Sequence, residues 1–413
     1  MNVEELTALL GGWEGYVLGA VGRLEPEADE GRSEEEIWLE LRPCADRRKC
    51  CSGCGQEVDQ VHDVEERWVR ELPILGTTTW LCVHRCRLTC PRCGPKLEEL
   101  SWLPRYSRVT KRLAESVARL CMVLPIKHVA AYFGLHWETV KAIDKAYLQS
   151  ALGPVDLSNV EVIAMDEFAI QKGHRYATVI VEPYTKRVLW IGRGRGREDI
   201  RPFFELLGRQ GRQRIKAVVM DMNGAYEEEV LDQCPLADIV FDLFHVVAKF
   251  GREVIDRVRV DEANRLRHDK TRRAVIKHSR WLLLRNRENI RQRKDRVRLD
   301  ELLAANRRLF TVYVMKDDLK HLWSYSYQGA ALRFWNDWYS RAVRSRIEPL
   351  KKFARNLHGY LHGILAHCRW PLHTSLLEGI NNKIKVIKRM AYGFRDDDYF
   401  FLKIRAAFPG IPC

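Results

Sequence analysis

Two aliphatic runs each end on an aspartate, Val160-Glu-Val-Ile-Ala-Met-Asp166 and Ile215-Lys-Ala-Val-Val-Met-Asp221, and Glu378 lies far downstream on a basic amphipathic segment. Three carboxylates on rigid elements suit a hard divalent cation, Mg²⁺ or Mn²⁺, which takes oxygen ligands and leaves room for substrate phosphates. Two such ions about 3.5 to 4 Å apart can activate an attacking oxygen and stabilise a leaving one, which is the chemistry of phosphoryl transfer. Each residue also has a plainer use. An aspartate after a strand caps the following turn, and Glu378 can pair with Asn382 or Lys385 one helical turn on.

A second constellation uses soft ligands. Eight of the twelve cysteines lie between Cys44 and Cys93, and two pairs have knuckle form, Cys51-Ser-Gly-Cys54-Gly and Cys90-Pro-Arg-Cys93-Gly. The short C-x-x-C turn brings two thiolates to one tetrahedral ion, and the glycine relieves the tight backbone, so Cys51, Cys54, Cys90 and Cys93 are candidate Zn²⁺ ligands. Cys50, Cys82, Cys86, His62 and His84 are possible substitutes. Arg85, Arg87, Arg92 and Lys96 surround the second knuckle, while Cys44, Cys121, Cys234, Cys368 and Cys413 lack paired spacing and read as structural or incidental.

The elements that must position the carboxylates follow from periodicity. Strands are expected at Val160 to Met165, Tyr176 to Glu182, Arg187 to Ile191, Ile215 to Met220 and Asp238 to Phe241, with a helix at about Glu198 to Leu207. Three strands, a helix and a parallel strand open a ribonuclease-H-like sheet, whose first and fourth strands are neighbours; Asp166 and Asp221 then converge. Around Glu378, Leu377, Ile380, Ile384 and Ile387 share one helical side, and Glu378, Asn382, Lys385 and Arg389 share the other. Lys388 adds a further cation for phosphates. His245, one turn after Asp242, is a possible accessory to the site or a packed histidine. Trp323, Trp335 and Trp338 have the spacing of core aromatics, with wedging into DNA as the alternative. Between ribbon and sheet, a helix over Ser107 to Leu124 is followed by a segment in which Pro125 fits a first helical turn and Gly134 the break, after which the chain returns to helix. This is a helix-turn-helix pattern whose second helix presents His136, Glu138, Thr139 and Lys141 to a major groove.

Composition narrows the class. The chain has 413 residues and a net charge of +14, unevenly spread: residues 1–40 hold 11 acids and 2 bases, whereas residues 251–300 hold 17 Lys and Arg against 8 acids. Such a local excess of cations points to a polyanion, with nucleic acid the natural one. No apolar run approaches the roughly 18 residues of a membrane span, and Met1-Asn-Val-Glu-Glu-Leu lacks a secretory pattern, so a cytoplasmic protein without membrane attachment, nucleoid-associated when bound, is expected. The fold expected is an α/β ribonuclease-H-like catalytic domain interrupted by a large α-helical insertion, preceded by a small zinc-ribbon domain and a helix-turn-helix domain. Its divisions are an acidic segment 1–40, ribbon 41–100, helix-turn-helix 101–153, first part of the core 154–250, insertion 251–365, and C-terminal core helix 366–413.

Long motifs add a resemblance. Met165-Asp-Glu-Phe-Ala-Ile-Gln-Lys-Gly-His-Arg-Tyr-Ala-Thr178, Asp221-Met-Asn-Gly-Ala-Tyr226, Phe241-Asp-Leu-Phe-His-Val-Val247 and Glu378-Gly-Ile-Asn-Asn-Lys-Ile-Lys-Val-Ile-Lys-Arg-Met-Ala-Tyr-Gly-Phe-Arg395 resemble bacterial insertion-sequence transposases of the ISL-three type over roughly Glu36 to Phe408. The resemblance implies DDE chemistry by Asp166, Asp221 and Glu378, strand cleavage and transfer on double-stranded DNA, both transposon ends and target, and a homodimer on paired ends. Rival readings are a non-catalytic DNA-binding regulator or domesticated relic, and a nuclease of the same fold that never joins strands.

Overall fold

The computed structural model describes residues 3–10, 12–24, 36–171, 173, 175–372 and 375–410. Cys413 lies outside them. The chain divides into two compact units, residues 1–153 with 388–395, and residues 154–387 with 396–413. No helix among the described residues is long and apolar enough to cross a membrane.

The first unit begins with helix α1 (Val3–Leu10) and carries a five-stranded sheet of β1 (Tyr16–Leu24), β2 (Glu36–Pro43), β3 (Val61–Ile74), β4 (Thr77–Cys90) and β5 (Gly94–Leu97), ordered β1-β2-β4-β3 with β5 on β4. The acidic N-terminal segment therefore contributes two strands to the cysteine-bearing sheet. Alternation makes this possible, because Leu39, Leu41, Val69, Leu81 and Val83 are buried in one core while Glu40 and Arg42, between and after the two leucines, fall on the other face. β3 and β4 form a long hairpin whose turn residues Leu75 and Gly76 both have positive φ, +52° and +83°, the conformation a two-residue turn needs to match strand twist. Arg85 is not a surface cation: it is 1% exposed and donates to the Glu98 carbonyl at 2.8 Å.

Three helices complete this unit, α2 (Lys111–Cys121), α3 (Ile126–Phe133) and α4 (Trp137–Leu152). Thr110 caps α2 by accepting from the Leu113 N–H. Pro125 occupies the position just before α3 rather than its first turn, and Gly134 ends α3 in the left-handed region at φ +60°. Leu113, Val117, Cys121, Val129, Phe133 and Val140 form the small core between the helices.

The second unit holds a sheet of β6 (Val162–Gln171), β7 (Arg175–Glu182), β8 (Arg187–Arg193), β9 (Ala217–Met220) and β10 (Asp238–Phe241), ordered β10-β9-β6-β7-β8. β6, β9 and β10 are mutually parallel, and β7 runs antiparallel to both β6 and β8. Helix α5 (Arg197–Arg214) crosses from β8 to β9; α6 (Gly224–Gln233) follows β9, and α7 (Leu243–Phe250) follows β10. The first strand runs past its expected end, so Asp166 lies inside β6. Its parallel partner β9 is the shorter element: their pairing stops at Ala164 with Val219, while β7 continues to pair as far as Gln171.

The basic segment and its continuation form helices α8 (Asp256–Arg265), α9 (Lys270–Lys277), α10 (Arg280–Leu284), α11 (Arg293–Ala305), α12 (Arg307–His321), α13 (Gln328–Arg344), α14 (Glu348–His358) and α15 (Leu361–Leu365). They share one core with the sheet, running from Val160 and Ile163 to Ile364 and Leu365. Trp335 and Trp338 are fully buried there, stacked at 5.4 Å, and Trp323 packs against the same core. Their place is structural. Helix α16 (Ser375–Met390) then carries Glu378, and α17 (Asp397–Ala407) packs beside β8 through Asp397, which accepts from Arg193 Nε at 2.9 Å.

Candidate active site and thiol cluster

The carboxylate site is built where β9 ends and β6 continues. Asp166 is drawn out of water between β6 and α16: its Oδ1 accepts from the Glu167 N–H at 2.8 Å, and its Oδ2 accepts from Asn381 Nδ2 at 2.6 Å. Burial, reinforced by the charges of Asp221 and Asp242 and opposed by His245, pushes its carboxyl up to about 6. Asp221 follows β9 directly. Its Oδ1 accepts from the Met222 N–H at 2.6 Å, and its Oδ2 lies 3.1 Å from His245 Nδ1. Burial raises this carboxyl, but the hydrogen bond and charge of His245 outweigh it, so the net shift is downward.

His245 binds the carboxylates into one cluster. It stands on α7, where Asp242 caps the helix by accepting from the Phe244 N–H at 2.7 Å, and its Nε2 lies 3.7 Å from Asp242 Oδ2. Burial lowers its pKa, yet Asp221, Asp166 and Asp242 raise it to about 9. In this arrangement the imidazolium is the counter-ion of three aspartates.

Glu378 is placed differently. It is exposed in the first turn of α16, with no hydrogen-bond or ion-pair partner among the described residues. The helix carrying it is nonetheless held to the site, because Asn381, one turn further on, binds Asp166. Leu377, Ile380 and Ile384 anchor the opposite face, each buried side chain contributing about 1.5 to 3 kcal/mol. Helical periodicity groups Asn382 with Glu378, but it is Asn381 that reaches the site. Asn382, Lys385 and Arg389 are exposed, and Lys388 is half-buried.

The oxygen set fits a hard divalent cation. Asp166 and Asp221 converge, and Asn381 Oδ1 is buried without a hydrogen-bond partner among the described residues. That acceptor, together with the gathered carboxylates, is what an ion of the Mg²⁺ class satisfies.

In the first unit the thiols of Cys51, Cys54, Cys90 and Cys93 gather so that their Sγ atoms all lie within 4.8 Å of one another. Cys54 and Cys90 approach to 3.7 Å. Desolvation raises the Cys90 thiol, but the Arg92 and Cys93 N–H groups and the neighbouring thiols bring it down to about 7, whereas hydrogen bonding to Cys54 pushes Cys93 up to about 12. One thiolate thus forms readily and the next resists, as expected of a cluster that a tetrahedral dication completes. Cys50, Cys82, Cys86, His62 and His84 stand outside this quartet, although Cys86 packs against it. Cys121 and Cys234 are core residues.

At the start of α4, His136 is the residue before the first turn and is exposed, as are Glu138 and Thr139; Lys141 is half-buried. His136 Nδ1 lies 3.8 Å from Glu138 Oε2.

Comparison with known proteins fits this architecture. The model of the DDE transposase family ISL3 matches residues 163–404, and that of the helix-turn-helix domain of transposase family ISL3 matches residues 98–148. The transposase for insertion sequence element IS1001 from Bordetella parapertussis is 55% identical over 408 residues, covering 98% of each chain. The transposase for IS1557 from Mycobacterium tuberculosis is 26% identical over 419 residues, covering 95% of this chain and 93% of its own. Sheet, helix-turn-helix, carboxylate cluster and near full-length similarity agree, and the chain belongs to the ISL3 family of transposases.

Proposed function

We propose that the protein binds the terminal inverted repeats of its insertion sequence and cuts and rejoins DNA by DDE chemistry on a ribonuclease-H-like sheet, with Asp166, Asp221 and Glu378 as the carboxylates. One observation carries this reading: Asp166 and Asp221, from neighbouring parallel strands, meet around His245, and Asn381 ties the helix bearing Glu378 to Asp166. When bound, Mg²⁺ would supply Lewis-acid activation of the attacking oxygen and stabilisation of the leaving oxygen. Asp166 and Asp221 would hold it, with Glu378 completing the set. Asn381 orients the Asp166 carboxylate and leaves its own buried Oδ1 as a further acceptor. His245 keeps Asp221 ionised and holds a proton between Asp221 and Asp242 until another cation balances them. Because cleavage and joining are both in-line displacements at phosphorus, one cluster can serve both with water first and a 3′-hydroxyl second as nucleophile.

Binding falls to other elements. Cys51, Cys54, Cys90 and Cys93 hold Zn²⁺ and fix the hairpin ends; His136, Thr139 and Lys141 face the groove of the end DNA. Asn382, Lys385, Lys388 and Arg389 contact phosphates beside the site. Two ends must be held together for transposition, so a homodimer on paired ends is the working assembly. Incubating the protein with labelled end DNA, a target plasmid and Mg²⁺ tests the whole reading. Joined product is expected; binding without cleavage supports a regulator instead, and hydrolysis without joining supports a nuclease.

A further inference from the structure

A second group of metal-ligating side chains lies in the first unit, away from the four-thiol cluster. Cys82 and His84, two apart on β4, point to the same face of the sheet. Across the antiparallel pairing Glu66 stands opposite His84, and across the parallel pairing Glu40 stands beside Cys82. Register thus delivers one thiol, one imidazole and two carboxylates from three adjacent strands to one patch. The ligand atoms of Glu66, Cys82 and His84 all lie within 4.8 Å of one another, and Glu40 Oε1 is 2.9 Å from His84 Nε2.

The surroundings orient these groups as ligands. Trp68 Nε1 donates to Glu66 Oε1 at 2.9 Å, and the Arg42 guanidinium sits 3.0 Å from Glu40 Oε2. Each carboxylate therefore has one oxygen held from outside the patch, and Glu40 turns its other oxygen to His84 within it, the arrangement that outer-shell partners give a metal-binding carboxylate. Cys82 is 5% exposed, so its thiol meets the patch out of water.

We propose that Glu40, Glu66, Cys82 and His84 form a second zinc site, distinct from the Cys51, Cys54, Cys90 and Cys93 quartet. Cys82 is eight residues before Cys90 on the same strand. An extended strand spans about 26 Å over that length, so one ion cannot serve both. A thiolate with an imidazole selects a borderline dication such as Zn²⁺ over Mg²⁺, and four ligands match its tetrahedral preference. Binding forms the S–Zn bond and releases the Cys82 proton to water; the His84 nitrogen exchanges its contact with Glu40 for the ion. The site clamps β2 and β3 onto β4, and it stands independently of the catalytic reading.

The test counts zinc. Full-length protein is produced with zinc in the medium, exchanged into Mg²⁺ buffer without free zinc, and measured by mass spectrometry of the metal. About two ions per chain are expected, against one if the thiol quartet is the whole complement. The double variant Cys82→Ala, His84→Ala is expected to retain about one. A double variant that holds as many ions as the wild type, whether one or two, overturns the proposal; a wild-type value of one that falls to none in the double variant keeps this site and empties the quartet instead. Because the double variant can fail to fold, Glu66→Gln, which preserves the volume and the Trp68 contact, is titrated with a chromogenic chelator. It should give up one ion at least about tenfold more readily while holding the other unchanged. Equal retention of both ions overturns the site.

Discussion

The thiol quartet and the carboxylate cluster gather ligands in opposite ways. The quartet comes from two short motifs at the ends of one hairpin layer, and its four sulfurs are mutually close. The carboxylate cluster draws Asp166, Asp221 and Asp242 from three strands' ends or edges, needs His245 to neutralise them, and leaves Glu378 exposed on a helix anchored by Asn381. Under the proposed function, the contrast is that between a closed structural zinc centre and an open site for substrate phosphates and hard cations.

The sharpest separation of the two comes from removing one ligand of each. Asp166→Ala or Asp221→Ala should lower end cleavage by about 10³-fold or more while gel-shift binding of end DNA persists. Cys90→Ser should do the reverse, losing the bound zinc and lowering the melting midpoint of the first unit by ~10 °C in calorimetry, with end binding lost. Asn381→Ala tests whether the helix is held through Asp166: single-turnover cleavage should fall by about 10- to 100-fold, with the fold intact by circular dichroism. His245→Ala leaves three aspartates without their counter-ion. We expect a loss of about 1 to 3 kcal/mol in denaturant titration without divalent ions, and recovery on adding Mg²⁺. The smallest effect is at Lys385→Ala or Arg389→Ala, each reducing the salt slope of DNA binding by about one phosphate contact.

The two regions were also unequally legible in the sequence. C-x-x-C spacing is local, so the four thiols could be named from the motifs alone. The aliphatic runs gave the strands that bring Asp166 and Asp221 together, and the 100° periodicity of Leu377, Ile380 and Ile384 matches the buried stripe of α16. Asn381 was not legible because it lies between Ile380 and Ile384, at the edge of that stripe, where only docking against β6 decides what it meets. The extent of β6 beyond Asp166 depends on how far β7 pairs, a nonlocal fact. In the acidic N-terminal segment, charged residues obscured the alternation of Leu39 and Leu41 that makes β2 a strand. Arg85, grouped with surface cations by its neighbours, is buried against the Glu98 carbonyl.

The central claim is that Asp221 and the exposed Glu378 act as ligands of the same divalent-ion site. Glu378→Cys, assayed beside Asp221→Cys on labelled end DNA, tests it most directly, since a thiolate binds Mg²⁺ poorly and softer Mn²⁺ better. Both variants should be inactive in Mg²⁺ and regain cleavage in Mn²⁺; cleavage by Glu378→Cys at the wild-type rate in Mg²⁺ would contradict the account.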